Sequence, residues 1–242
     1  MEQAYEHQAK LELALWQKEM QRKPGIRGTI SRSLQTRINR VIPEKVHEVV
    51  TAAFREMVRG VLAGSSLIAG DPLPDQDLQI RESLVRDKIS VYSKTAAAEG
   101  AITGAGGILL GLADFPIWLG LKMKMMGDIA LLYGHDIRDY RERLYLLYVF
   151  QLAFSGRKHR KRIYCTIENW DETVKAFPPD PEQFDWRSFQ QEYRDYLDIA
   201  KLLQLIPGVG AFVGAYVNHR LTNKLGETAI NAYRLRFFAK SS

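Results

Sequence analysis

EGAITGAGGILLGLADFPIWLGLKMKMMGDIALLYG, residues 99–134, decides the fold. Between Gly100 and Leu121 its only ionisable residue is Asp114, so the run approaches the length of a membrane span, about 20 residues. Asp114 and Pro116 spoil a simple span and instead begin a helix. An aspartate at the N-cap accepts orphan backbone N–H groups, and a proline in the first turn needs no donor. The stretch therefore reads as a helical hairpin. Gly100 with Gly104, Gly107 with Gly111 and, further on, Gly210 with Gly214 repeat a small-xxx-small spacing. Each glycine costs a helix about 1 kcal/mol relative to alanine, which tight backbone contact explains. The spacing serves core crossings and bilayer helix pairs alike. Burial in a soluble core is the working reading, and membrane insertion is its rival.

Outward from this run the pattern stays helical. Tyr5, Ala9, Leu13, Trp16 and Met20 recur at helical spacing over residues 2–22, and Pro24-Gly25 stops them. Thr29 or Ser31 caps a short basic helix through Arg40, Pro43 begins another to about Leu62, and Gly70–Pro74 breaks the chain. From Asp75 a further helix carries Leu78, Leu84, Val85, Ile89 and Tyr92 as its apolar positions. Asp139 with Glu142 forms a capping-box signal before LYLLYVFQLAF, residues 160–175 and 187–206 are helical in spacing, and FPPDPEQFD between them is a loop. No sustained period-2 run appears. The expectation is an all-α, single multi-helix domain over 1–242 with glycine-rich central and C-terminal hairpins. Residues 1–62 form N-terminal amphipathic helices, 75–155 the glycine-rich hairpin and the helix after it, and 157–238 basic and acidic helices and the C-terminal hairpin.

The 242 residues are 46% hydrophobic and 26% charged, with 34 Lys and Arg against 28 Asp and Glu, a net charge of +6. Disorder is not indicated. Cys165, the one cysteine, excludes an internal disulfide and a cysteine-rich zinc site. The N-terminus alternates charge with apolar residues and lacks a signal-peptide core, so a cytoplasmic location is expected.

Little in the sequence carries chemistry. Glu99 and Thr103 share a helix face at the entrance to the glycine stretch. Together with Asp114, Asp128 and His135 they are the candidates should the chain be an enzyme, a hydrolase using paired carboxylates. The simpler reading has Glu99 paired with a nearby cation and Thr103 bonded back to its own helix. His7, His47, His135, His159 and His219 show no metal-ligand spacing, and neither a phosphate-binding glycine loop nor a nucleophile elbow occurs. No metal and no cofactor is therefore expected. Arg157, Lys158, Arg160, Lys161 and Arg162 place five cations within six residues, directly after an apolar helix. Such a run suits anionic lipid headgroups, although a solvated helix start explains it equally well. Residues 163–200 set three basic residues against nine acidic ones, so the surface is polarised. Nucleic acid is not expected as a partner, because no recognised binding module occurs.

EGAITGAGGILLGLADFPIWL at 99–119, YGHDIRDYRERLYLLYVFQLAF at 133–154 and the segment from Phe189 to Phe238 resemble the EcsC protein family, as does PEKVHEVVTAAF at 43–54. The family takes its name from a gene beside the Ecs ABC transporter of Bacillus-type bacteria. Its E-G-x-x-T-G-x-G-G pattern falls on Glu99, Gly100, Thr103, Gly104, Gly106 and Gly107, and its D-x-P on Asp114 and Pro116. Its C-terminal patterns fall on Pro207, Gly208, Gly210 and Ala211, and on Tyr233, Arg234 and Arg236. The resemblance implies an accessory to an Ecs-type ABC transporter and brings no catalytic role with it. The function expected is non-catalytic, with the protein docked peripherally at the cytoplasmic face of the membrane through residues 157–162. Its partners are transporter subunits, an anionic lipid surface, or both. The rivals are an uncharacterised hydrolase-like enzyme and a self-inserting membrane protein.

Overall fold

Two long helices with glycine where they touch set the architecture. The computed structural model describes residues 2–22, 44–64, 70–105, 114–178, 180, 183–185, 187–189 and 211–240. In these residues the helices are α1 (Glu2–Met20), α2 (Glu44–Ala63), α3 (Leu78–Ala105), α4 (Phe115–Leu132), α5 (Tyr140–Phe154), α6 (Arg157–Glu168), α7 (Trp170–Lys175) and α8 (Ala211–Lys240), and no strand occurs among them. The fold is all-α, as the spacing predicts.

α3 and α8 run antiparallel along their lengths. Glu82 meets Arg234, Ile89 lies over Gly226, Ser93 Oγ donates to Asn223 Oδ1 at 2.9 Å, and Gly100 faces Gly214. A Cβ built on Gly100 would sit 2.5 Å from the Gly214 carbonyl oxygen. The first small-xxx-small site is therefore a backbone-to-backbone crossing, the use of glycine that its helix cost implied. α4 packs on both long helices, α5 on α8 and α2, α6 on α5, and α1 lies across α3 and α8. The core is shared by Val85 and Ile89 of α3, Met126 and Ile129 of α4, Leu144 and Phe150 of α5, and Leu225 and Ala229 of α8.

Three local expectations come out differently. Leu84 is exposed, because the buried stripe of α3 passes through Leu78, Glu82, Val85 and Ile89, leaving position 84 off its face. Asp114 stands at the N-cap of α4 with Pro116 in the first turn, but its side chain makes no capping hydrogen bond. Its backbone is already helical, whereas a capping side chain reaches back from an extended residue. Asp139 is extended and caps α5, accepting from Arg141 N at 2.9 Å. Glu142 does not close the box, since its carboxylate is held by Arg236. From residue 211 the C-terminal glycine-rich stretch is one helix of 30 residues, packed most extensively on α3. The other arm of that hairpin, beyond Phe189, lies outside the described residues. So do the helix expected over 29–40, Gly106, Gly107, Gly111, Pro207, Gly208 and Gly210.

Gly134 ends α4 in the left-handed region, with φ +82°. Its N–H donates to the Leu131 carbonyl and that of His135 to Ala130, each at 2.9 Å. This glycine cap turns the chain so that His135 enters the bundle instead of continuing the helix.

Candidate functional site

The Tyr-Arg-x-Arg segment of α8 marks the densest polar site. Residues 234 and 236 are two apart on a helix, roughly 200° around its axis, so the two guanidinium groups leave α8 on different sides. Arg234 finds a fully buried carboxylate and Arg236 a half-buried one. Arg234 Nε and Nη2 hold the two oxygens of Glu82 at 2.6 and 2.7 Å, and its Nη1 reaches Glu12 at 2.9 Å. Glu82 also accepts from Tyr5 at 2.8 Å and Tyr133 at 3.3 Å. Two-pronged pairing of this kind is the strong form of the ion pair, and it ties α1, α3, the end of α4 and α8 together. Burial, with the charge and hydrogen bond of Glu82, pushes the Tyr133 hydroxyl well above its ordinary range, so it stays a donor.

Arg236 grips Glu142 at 2.6 and 2.7 Å and lies over the Tyr145 ring, with His135 Nδ1 at 3.5 Å from the same carboxylate. Burial alone would raise the Glu142 carboxyl, but the hydrogen bonds from Arg236 and His135 outweigh it and bring it down to about 2. Tyr233 lies between the two clamps. Its ring stacks on Tyr133 and His135, and its buried hydroxyl has no hydrogen-bond partner among the described residues.

The remaining candidates are spread along the bundle. Glu99 is half-buried on α3, and its charge acts on Lys122 of α4. The Lys122 amine is fully buried over the Trp118 ring, with no hydrogen-bond partner among the described residues. Burial pushes it down to about 7 against the opposing pull of Glu99. Asp128 accepts from Tyr92 at 2.9 Å and faces Lys88 at 3.4 Å. It therefore meets α3 seven residues before Glu99, roughly 10 Å of helix. Asp114 and His135 flank the 18 residues of α4, roughly 27 Å of helix, so Glu99 and Asp114 belong to one end of the bundle and His135 to the other. The side chain of Thr103 lies outside the described residues. Among the described residues no group of three His, Cys, Asp or Glu side chains could hold a metal ion.

Glu82, Glu142 and Lys122 are missing from the sequence-derived site. The signal was present: each is a charged residue at a position whose helical neighbours are core residues, as in Leu78, Glu82, Val85, Ile89. The basic run starts α6, directly after α5. Phe154 at the end of α5 packs its ring 6.2 Å from Trp118 near the start of α4. α6 thus begins beside the first turn of α4 and, on α8, at the level of Lys224, whose amine lies 5.6 Å from the centre of the same Phe154 ring. Arg160 is half-buried, Lys161 and Arg162 are exposed, and the side chains of Arg157 and Lys158 lie outside the described residues.

The model of the EcsC protein family matches residues 7–238. The chain is 44% identical over 228 residues to Protein EcsC of Bacillus subtilis (strain 168), covering 94% of each. It is 30% identical over 165 residues to the Uncharacterized protein YdbA of the same strain, covering 68% of this chain and 59% of that protein. No solved structure matches.

Proposed function

The chain belongs to the EcsC protein family, and from that premise we propose that it is a non-catalytic accessory protein of an Ecs-type ABC transporter. It docks peripherally at the cytoplasmic face of the membrane. The observation that carries docking is the start of α6: the run from Arg157 to Arg162 follows directly on Phe154, whose ring lies against Trp118 of α4 and Lys224 of α8. Cations close to an anionic surface are worth about 1 kcal/mol each. The non-catalytic part is supported by the engagement of Arg234 and Arg236 in internal carboxylate clamps, where they act as ties between helices. None of the described helices is long and apolar enough to cross a membrane.

Fractionation of cells, with salt and carbonate washes of the membrane pellet, tests the reading. Release by salt is the expected result, since surface electrostatics are screened. Charge reversal of Arg160, Lys161 and Arg162 should move the protein to the soluble fraction. Full recovery of the unaltered protein in that fraction overturns docking.

A second reading, chemistry at Glu99, has one observation in its favour: the buried Lys122 amine on which Glu99 acts. Under it, Glu99→Gln and Asp114→Asn abolish function and leave helicity and melting temperature unchanged. Loss of the fold in those variants assigns both residues to structure.

A further inference from the structure

Apolar exposure and positive charge coincide at one end of the bundle, and their order along the helix axes is informative. Three large apolar side chains are exposed there: Ile102 at 68%, Ile117 at 61% and Tyr216 at 65%. Gly100 and Gly214 face each other across α3 and α8. Ile102 and Tyr216 each follow by two residues, roughly 200° around their own helices, so both turn away from that contact, to opposite flanks. Ile117 comes from the third helix, α4. The three thus stand on three different helices near this end, with Tyr216 roughly 6 Å nearer the middle of the bundle than Ile102 in the Gly100–Gly214 register.

Singly exposed apolar residues need no explanation; what stands behind these three does. Arg220 lies roughly 6 Å further along its helix, Lys124 roughly 10 Å, and Lys94 and Lys224 roughly 12 Å, and all four are exposed. Over 88–105, 114–127 and 211–226 the acids are Glu99 and Asp114. Exposed apolar side chains with cations one to two turns behind them on the same helices match an anionic lipid interface, where apolar groups enter about 5–10 Å and cations meet phosphates. A second copy of the chain would set like charge against like.

Resting on the docking reading above, we propose that this end of the bundle enters an anionic phospholipid surface end-on. Ile102, Ile117 and Tyr216 reach the acyl boundary, and Lys94, Lys124, Arg220 and Lys224 lie at the headgroups.

The single native cysteine makes the test direct. In a Cys165→Ser background, a cysteine is placed by Ile117→Cys or, at the far end of α3, by Ile80→Cys, and labelled with a polarity-sensitive nitrobenzoxadiazole. With vesicles of phosphatidylglycerol and phosphatidylcholine, the label at 117 should brighten, shift to the blue and be quenched by a lipid-borne nitroxide. The label at 80 should not respond. The triple variant Ile102→Ser, Ile117→Ser, Tyr216→Ser should bind the vesicles about ten-fold more weakly or worse, with its helicity intact because all three side chains are exposed. A silent label at 117 on protein that pellets with the vesicles overturns end-on entry and leaves docking standing. Equal binding to phosphatidylcholine alone removes the role of the cations. A chain that pellets with no anionic vesicle sinks both this inference and the docking reading.

Discussion

Arg234 is the residue on which the helices around it converge. Its guanidinium satisfies a carboxylate that has no exposed surface, and removing one partner of such a pair leaves a bare buried charge at a cost of about 3–5 kcal/mol. Arg234→Met should therefore lower stability by that amount in urea denaturation. Glu82 would keep only the Tyr5 and Tyr133 hydroxyls and Arg86 at 3.8 Å. Adding Glu82→Gln should recover part of the loss, because no unpaired charge then remains. A cost below about 1 kcal/mol for the single variant, within the range of a surface pair, would mean that Glu82 is not held as an ion in the core. Half of this pair was legible in the sequence. Arg234 belongs to a recognisable segment, but nothing in it says that its partner stands 152 positions away on α3. Glu82 could have been found only by asking why an acid occupies the phase of Leu78, Val85 and Ile89.

At the scale of elements, glycine separates contacts that must be close from those that need not be. On α3, Gly100 has backbone where its Cβ would go: the Gly214 carbonyl oxygen at 2.5 Å, which no rotamer can move aside. On α4, Gly120 has nothing within 4 Å. Alanine gains about 1 kcal/mol over glycine in a helix interior, while overpacking costs about 1–3 kcal/mol. Gly120→Ala should thus raise the melting temperature and Gly100→Ala lower it, by thermal unfolding of the two variants side by side. If both raise it, the α3–α8 crossing is looser than a backbone contact. The helix starts and the small-residue spacing were legible locally, since caps, prolines and periodicity act within a turn or two. Which glycine meets which was not, because a spacing carries no address. The failed capping box shows the same limit: Asp139 does its local work, whereas Glu142 is drawn away by Arg236, 94 positions on.

Across the whole molecule, buried and half-buried titratable groups set how stability follows pH, and they act in different windows. Glu142, brought from 4.5 to about 2 by its partners, contributes stability that is complete above about 4.5 and lost as pH falls toward 2. Lys122 works in the opposite sense. Its amine ordinarily titrates at 10.5 and is pushed to about 7 in the fold, so between those values the unfolded chain binds the proton and the folded chain does not. Stability should rise with pH across that window, by at most about 1.4 kcal/mol per unit from this one group. Above about 10 the trend reverses. The buried Tyr145 and Tyr233 hydroxyls are held protonated well above their ordinary value by burial, so the unfolded chain gains by ionising them. Urea denaturation from pH 5 to 10 should therefore show a rise beginning near neutrality. Lys122→Met should flatten that rise and be more stable than the unaltered chain at pH 6, since an amine without a hydrogen-bond partner is replaced by a side chain suited to the Trp118 pocket. A rise that persists in Lys122→Met would assign it to another group and leave the amine charged in the fold, screened by Glu99.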